Sequence, residues 1–429
     1  MNKQRMAKVC PNIQAIPGCA LALNDGFVVP HGERFGICEA IIVYSVTTMV
    51  VFDAVLFSVM FCGRLSHPEI NSPGLMQGLS GWDGVWYQRI VDHGYSYDSG
   101  VRSSVAFFPL YPLAGTLVRS FTSLPADCAL LLVSQISLLA SFIFFSKYII
   151  CRGLQPAESS VALLAFGLWP TTFFWRMTYT ESLFVLLLVL VLLGLRQNWP
   201  ILIVALLVGA ATATRATGVA LALPFAYHVW TTYRHSTLKL ISRGLVFGCL
   251  SCWGLVAWMA YQQIQFGTPF AFMNTQAHWG IRTTLPFTER LFSLVIGEPI
   301  WSVYVPSSPA YWARFEPANV PALFSLQFAN PIFVLIAVGL VILGARRGWL
   351  NTHEILLSAG LLLIPYVTHS YQTVMMGQGR YASVVIPVYI VMGRLLAQCP
   401  PMLRSLLFAM SACMLAAYSA LFAAWYRMI

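Results

Sequence analysis

The sequence predicts an all-α polytopic membrane protein of about eleven transmembrane helices, with two large extracytoplasmic loops. Three observations predict it. Hydrophobic residues make up 58% of the chain and charged residues only 9%, against roughly 25% charged in a soluble domain, whose surface must be solvated. The apolar residues fall in blocks about as long as a bilayer span, separated by short polar turns. The basic residues behind the formal net charge of +10 sit mostly at the ends of those blocks, where membrane topology puts them. They form no dense patch or stripe, which argues against nucleic acid as a partner. The ten cysteines form neither a paired framework nor a zinc spacing. Most of them, such as Cys38, Cys128, Cys249, Cys252 and Cys413, lie in or beside apolar runs as small hydrophobes.

Residues 1–37 read as a cytoplasmic tail. Lys3, Arg5 and Lys8 precede a mixture broken by Pro11, Pro17, Gly18 and Pro30, without the continuous apolar core of a cleavable signal peptide. Residues 38–425 form the multi-span domain. Its first span is 38–62, followed by the first outer loop at 64–103. Spans then fall near 104–119, 128–150, 157–175, 179–195, 199–224 and 244–262, followed by the second outer loop at 263–325. The last spans lie near 326–344, 353–370, 381–397 and 402–425. A cytoplasmic N-terminus puts Arg234, Lys239, Arg243, Arg346, Arg347 and Arg404 inside and both long loops outside, as the positive-inside tendency requires. Lys147 and Arg152 fall on the less favoured side, where snorkelling makes them tolerable. The 104–119 segment is short and holds Pro109 and Pro112, so a re-entrant or broken helix is open there.

The first outer loop contains Gly81-Trp82-Asp83-Gly84-Val85-Trp86-Tyr87-Gln88-Arg89-Ile90, then Asp92-His93-Gly94-Tyr95. Asp83 opens what reads as a short helix, with Trp82, Trp86, Tyr87 and Ile90 spaced to lay one face on the membrane interface. An aspartate held there among aromatics can take a proton from a hydroxyl; the simpler alternative is an N-cap. Pro109 and Pro112, in Ala106-Phe107-Phe108-Pro109-Leu110-Tyr111-Pro112, break a regular helix. The segment suits either the wall of a lipid-facing groove or a kinked span.

Arg176, Glu181 and Arg215 put charge in or beside apolar segments, where it is expensive. Helix capping accounts for Glu181. Arg215 points inward or snorkels, and pairing with Glu181 stands beside a functional role. The span count places both towards the cytoplasmic half, away from the chemistry. Gln378-Gly379-Arg380-Tyr381 enters a span from the outer side, where an arginine can bind a phosphate bidentately. Arg282, Arg290 and Arg314 are competing donors, and an interfacial anchor is the plain alternative for each. His93, His278 and His369 have no metal-ligand spacing, and neither a Gly-rich phosphate loop nor a dinucleotide fingerprint occurs. A lipid-linked donor entering sideways from the bilayer suits outer loops between helices better than a nucleotide-bound one.

Taken together, five blocks carry a family pattern: Trp82-Asp83 with Trp86-Tyr87, Ile90 and Gly94-Tyr95; Ala106 to Pro112; Thr180-Glu181-Ser182-Leu183-Phe184; Thr214-Arg215-Ala216-Thr217-Gly218; and Gly379-Arg380-Tyr381 followed by Pro387. In this order they span about 80 to 390, and the chain resembles the bacterial branch of the PIG-V (GPI mannosyltransferase 2-like) family. The resemblance implies a GT-C-like fold, with residues 38–425 as the catalytic domain. It also implies an inverting glycosyltransferase, a mannosyltransferase, that uses a polyprenyl- or dolichyl-phosphate sugar on the extracytoplasmic face. Asp83 matches the family's acidic position and would be the base. Trp82, Trp86, Tyr87, Tyr95, Phe108, Tyr111, Arg380 and Tyr381 would contact substrate, with Arg176, Glu181 and Arg215 as supports. No cofactor, divalent metal, nucleic acid or obligate protein partner is expected. The expected partners are the lipid-linked donor, membrane lipids and a glycolipid, glycan or protein acceptor. The compartment would be a bacterial inner membrane, or the endoplasmic reticulum membrane in a eukaryote. A transporter or flippase of a lipid-linked sugar competes with this reading; it would need a central path open to each side in turn. A scaffold subunit would leave Asp83 pointing away from any cavity.

Overall fold

The computed structural model describes residues 31–62, 74–283, 285–316 and 321–426, so the expected tail lies largely outside the described residues. Those residues are mostly helical and contain no strand. The first helix starts at His31 rather than at 38 and runs to Phe57.

Four helices are long and apolar enough to cross a bilayer: Gly36–Phe61, Ala126–Cys151, Leu326–Arg346 and Pro401–Ala423. Two bent pairs raise that to six. Pro170–Arg176 meets Glu181–Arg196 at 102°, and Thr237–Ser251 meets Trp253–Phe266 at 54°. The chain is a multi-pass membrane protein. The apolar segments anticipated from sequence are present as helices, but several are broken. Residues 104–119 become a 3₁₀ turn, Ser104–Ala106, and a helix, Leu110–Thr122. Residues 199–224 break at Arg215 into Ile201–Thr214, a 3₁₀ turn Ala216–Leu221 and the start of Ala222–Tyr233. Residues 381–397 divide between Gln378–Ser383 and Pro387–Ala397. At 1.5 Å per residue even the 14-residue Ile201–Thr214 reaches only about 21 Å, short of the roughly 30 Å hydrocarbon core. Hydropathy sums apolar residues and does not register such breaks.

Glycines make the breaks possible. A Cβ on Gly218 would lie 2.3 Å from the Ala211 carbonyl oxygen and 2.7 Å from the Thr212 nitrogen. The turn after Arg215 therefore folds directly onto the backbone of the helix it has just left. Trp253–Phe266 lies as close to the same helix: a Cβ on Gly254 would sit 2.1 Å from the Gly209 carbonyl. Small residues at such crossings let helix backbones approach within the membrane.

At another junction a buried ion pair joins two helices. Glu354 is fully buried and sits in the first turn of Thr352–His369, where Asn351 caps the helix. It accepts from Arg152 Nε at 2.7 Å and from the Tyr148 hydroxyl at 2.6 Å. Arg152, on the unfavoured side in the charge count, is thus paired at the end of Ala126–Cys151. Arg176 is likewise buried, donating to Thr47 Oγ1 at 2.7 Å and to the Gly167 carbonyl at 3.2 Å. It ties the first helix to the Pro170–Arg176 turn.

Gly218→Ala should destabilise the detergent-purified protein by about 1–3 kcal/mol, because backbone atoms cannot rotate out of the way. Gly244→Ala, in a helix with nothing within 4 Å of the added Cβ, should be neutral or stabilise by about 0.5–1 kcal/mol. Equal thermal midpoints for the two variants would refute the close approach at Gly218.

Candidate active site

Four charged side chains meet where helices start and stop. Asp83 is the first residue of Asp83–His93, and Glu181 the first of Glu181–Arg196. Arg215 terminates Ile201–Thr214 with extended backbone, φ −154° and ψ 148°. Arg380 lies in the short helix Gln378–Ser383. Arg380 Nη1 donates to Asp83 Oδ2 at 2.6 Å, and its Nε donates to Glu181 Oε1. Arg215 Nη1 donates to the same Glu181 oxygen and to Thr180 Oγ1 at 3.2 Å. A fully buried carboxylate therefore holds two guanidinium groups, one of which holds Asp83.

Local backbone fixes each member. Trp82, immediately before Asp83, has φ 57°, a left-handed conformation that a bulky residue adopts at a cost of about 1–3 kcal/mol. The Asp83 amide donates to the Tyr179 hydroxyl at 3.2 Å, and that hydroxyl donates to the Gly81 carbonyl at 3.2 Å. A Cβ on Gly84 would lie 2.4 Å from Thr178 Oγ1, so this helix starts hard against the chain leading to Glu181. Gly379 donates to Asn330 Oδ1 at 3.0 Å and accepts from Thr171 at 2.9 Å. That anchors the backbone beside Arg380, whose guanidinium lies over the Tyr179 ring, 4.5 Å from its centre.

Asp83, Arg215 and Arg380 line a cavity of about 900 Å³. Of the residues expected at a substrate site, Trp82, Trp86, Tyr87, Phe108, Arg380 and Tyr381 line it, and Tyr95 and Tyr111 do not. Tyr111 is fully buried and hydrogen-bonds the Leu130 carbonyl at 3.0 Å and Ser134 Oγ at 2.8 Å. It packs Leu110–Thr122 onto Ala126–Cys151. Tyr95 packs tilted against Trp258, which in turn contacts Phe108. Both tyrosines sit behind the wall instead of in it.

Glu181 and Arg215 do pair, but the expectation that they lie away from the first loop is corrected. They share a face with Asp83 because residues 104–119 do not carry the chain across. Leu110–Thr122 folds back along the start of Ala126–Cys151, with Tyr111 bonded to Leu130 and Ser134 and Arg119 to Asp92. The chain then returns through 156–176 to Tyr179, whose carbonyl accepts from Ser134 Oγ. Pro156–Leu168 stops before Pro170, and the chain bends 102° before Glu181.

The second loop covers the cavity. Phe272, Met273, Gln276, Trp279, Ile281 and Arg290 all line it. Trp279 contacts Trp86 and Phe107 at ring separations of 5.5 and 5.6 Å. The two loops are knit together by Ser103 N to Thr275 Oγ1 at 3.1 Å and Arg102 Nε to the His278 carbonyl at 3.0 Å. Arg282 is a latch: it pairs with Glu298 at 2.9 Å and covers Tyr371, while its amide and that of Ile281 donate to the Gln372 carbonyl. Sequence reasoning missed Trp279, Arg102, Gln276 and Gln372.

Asp83 is the sole carboxylate among the described lining residues. Asp83 Oδ1 has no hydrogen-bond partner among the described residues, so it can take a proton while Arg380 holds Oδ2. Burial pushes the Tyr87 phenol well above its ordinary value, with Arg380 pulling the other way. Tyr87 is therefore a neutral phenol near pH 7. The described residues contain no group of three or more His, Cys, Asp or Glu side chains placed to hold a metal ion.

Human GPI alpha-1,6-mannosyltransferase 2 is 28% identical over 298 residues, covering 62% of this chain and 57% of the human protein. The rat protein of that name is 35% identical over 122 residues, covering 26% of this chain and 24% of its own length. The matches thus span little more than half of the human relative and about a quarter of the rat one. Among solved structures, the oligosaccharyltransferase AglB from Archaeoglobus fulgidus, in complex with an inhibitory peptide and a dolichol-phosphate, superposes with a TM-score of 0.43 at 12% identity. That superposition covers 92% of this chain and 56% of AglB. The family model for mannosyltransferase (PIG-V) matches residues 45–403, which include Asp83, Glu181, Arg215 and Arg380. With so much of its length inside that match, the chain belongs to the PIG-V mannosyltransferase family.

Proposed function

We propose that this chain is an inverting mannosyltransferase that moves a sugar from a polyprenyl- or dolichyl-phosphate donor to an acceptor hydroxyl on the extracytoplasmic face. The observation that carries the reading is Asp83, the single carboxylate among the described residues lining an aromatic-walled cavity, in a chain of this family. The acceptor oxygen attacks the anomeric carbon, and its proton passes to Asp83 Oδ1. The new C–O bond forms as the bond from that carbon to the phosphate oxygen breaks, and the lipid phosphate leaves with the electron pair. A single displacement converts a β-linked donor into an α-linked product. Arg380 keeps Asp83 aimed, and Trp86, Phe107 and Trp279 offer flat apolar faces to sugar and lipid beside it. Positive charge from the cavity arginines steadies the departing phosphate; no divalent metal is assigned. The acceptor is a glycolipid, glycan or protein, and the membrane a bacterial inner membrane or that of the endoplasmic reticulum.

Purified protein should transfer radiolabelled mannose from synthetic polyprenyl-phosphate mannose to an acceptor in a crude lipid panel. Asp83→Asn should reduce that rate about 10²–10⁴-fold while staying monodisperse; undiminished transfer by the variant would remove Asp83 from the chemistry. Arg380→Lys keeps the charge but cannot reproduce the fork that reaches two carboxylates. It should lower kcat about 100-fold, the scale of a misplaced catalytic group, with little change in KM. A rise in KM alone would make Arg380 a substrate contact.

A further inference from the structure

The mechanism above uses Asp83 and Arg380, yet four arginines line the described cavity wall. Two of them gather with an imidazole on one flank. Arg290 belongs to the helix Phe287–Val295, and its Nη2 donates to the Val367 carbonyl at 2.9 Å, bridging to Thr352–His369. His369 ends that second helix and stacks on Tyr381, with ring centres 6.2 Å apart and planes 12° apart. Arg215 lies over the Tyr381 ring itself, 5.3 Å from its centre. His369 is within electrostatic reach of both Arg215 and Arg290. The carboxylates nearby are already engaged: Asp83 by Arg380, and Glu181 by Arg380 and Arg215. Arg290 has no ion-pair partner among the described residues. Such a cluster is arranged for an anion supplied from outside the chain.

An apolar surface leads away from it. Phe287 and Val295, on the helix that carries Arg290, are 78% and 76% exposed. Leu363 and Val367 are exposed on the neighbouring helix, while Ile364 of that helix reaches into the cavity. A cationic end inside and an apolar surface outside match a phosphate carrying a long hydrocarbon tail.

On the reading that the donor is lipid-linked, we propose that Arg290, His369 and Arg215 form the subsite for a lipid phosphate, whose tail runs out along the exposed apolar faces of Phe287–Val295 and Thr352–His369. Arg380 then serves Asp83, and Arg290 serves the phosphate. That phosphate belongs either to the polyprenyl donor or to a phospholipid acceptor, and binding measurements separate the two.

The test compares the affinity of the full chain in detergent for undecaprenyl phosphate, undecaprenol and phosphatidylinositol, in wild type, Arg290→Gln and Arg290→Lys. Wild type should prefer a lipid phosphate to undecaprenol by about 10- to 100-fold, the strength of charge-assisted hydrogen bonds. R290Q should lose most of that preference and R290K retain part of it, with undecaprenol affinity unchanged in both. Loss confined to undecaprenyl phosphate assigns the subsite to the donor; loss confined to phosphatidylinositol assigns it to the acceptor. Full phosphate preference in R290Q would overturn the subsite. So would equal loss of undecaprenol and phosphate binding, because the arginine would then hold the path open and not the charge. Binding is read without transfer, so a failed mannosyltransferase assay leaves this test intact, and transfer with unaltered binding in R290Q would reject the subsite alone.

Discussion

Glu181 is a carboxylate removed from water and compensated by two guanidinium groups, and the geometry of the site depends on it. A charge in that position is sustained only by partners close enough to offset its desolvation. Arg215 and Arg380 supply that compensation from segments far apart in the chain. The same interaction fixes the angle at which Arg380 meets Asp83, and hence where Asp83 points. Tyr179 closes the arrangement from below, bonded to the backbone on both sides of Trp82 and lying against the Arg380 guanidinium.

These four charges could not lie in the middle of unbroken helices. Irregular backbone is tolerated at membrane depth only where protein or a cavity satisfies it, and here the broken ends carry the site. Gly218 lets the chain turn back after Arg215, Gly84 lets the Asp83 helix start against Thr178, and Gly379 is clamped next to Arg380. The short, interrupted helices that depart from a simple span count are therefore what bring the catalytic candidates together. Packing such as Tyr111 on Leu130 and Ser134, and the Arg152–Glu354 clasp, holds the surrounding frame.

Helices and the first-loop part of the wall were legible in the sequence, because apolar periodicity and aromatic clustering are local signals. Trp82, Asp83, Trp86 and Tyr87 stand within six residues of one another, and they do line one cavity. Arg380 was legible as an outer charge but not as the partner of Asp83, nearly three hundred residues away. Glu181 was placed away from Asp83 because hydropathy does not show that Leu110–Thr122 folds back along Ala126–Cys151 instead of crossing. Tyr95 and Tyr111 share the spacing and composition of true wall residues. Only the packing of Trp258 and Leu130 behind them shows that they face away. Trp279 enters from the second loop through a fold that no local pattern encodes.

On the proposed reading the labour is divided: Glu181 holds the structure, and Asp83, partly exposed beside it, is left for the chemistry. Unfolding of Glu181→Gln and Asp83→Asn in the same detergent tests it most directly. Glu181→Gln takes from Arg215 its one ion-pair partner among the described residues and from Arg380 one of two, and should cost about 3–5 kcal/mol. Asp83→Asn leaves Arg380 on Glu181 and should cost about 1.5 kcal/mol, the low end for a hydrogen bond to a charged group. An Asp83→Asn protein as unstable as Glu181→Gln would contradict the account, because Asp83 would then be part of the scaffold.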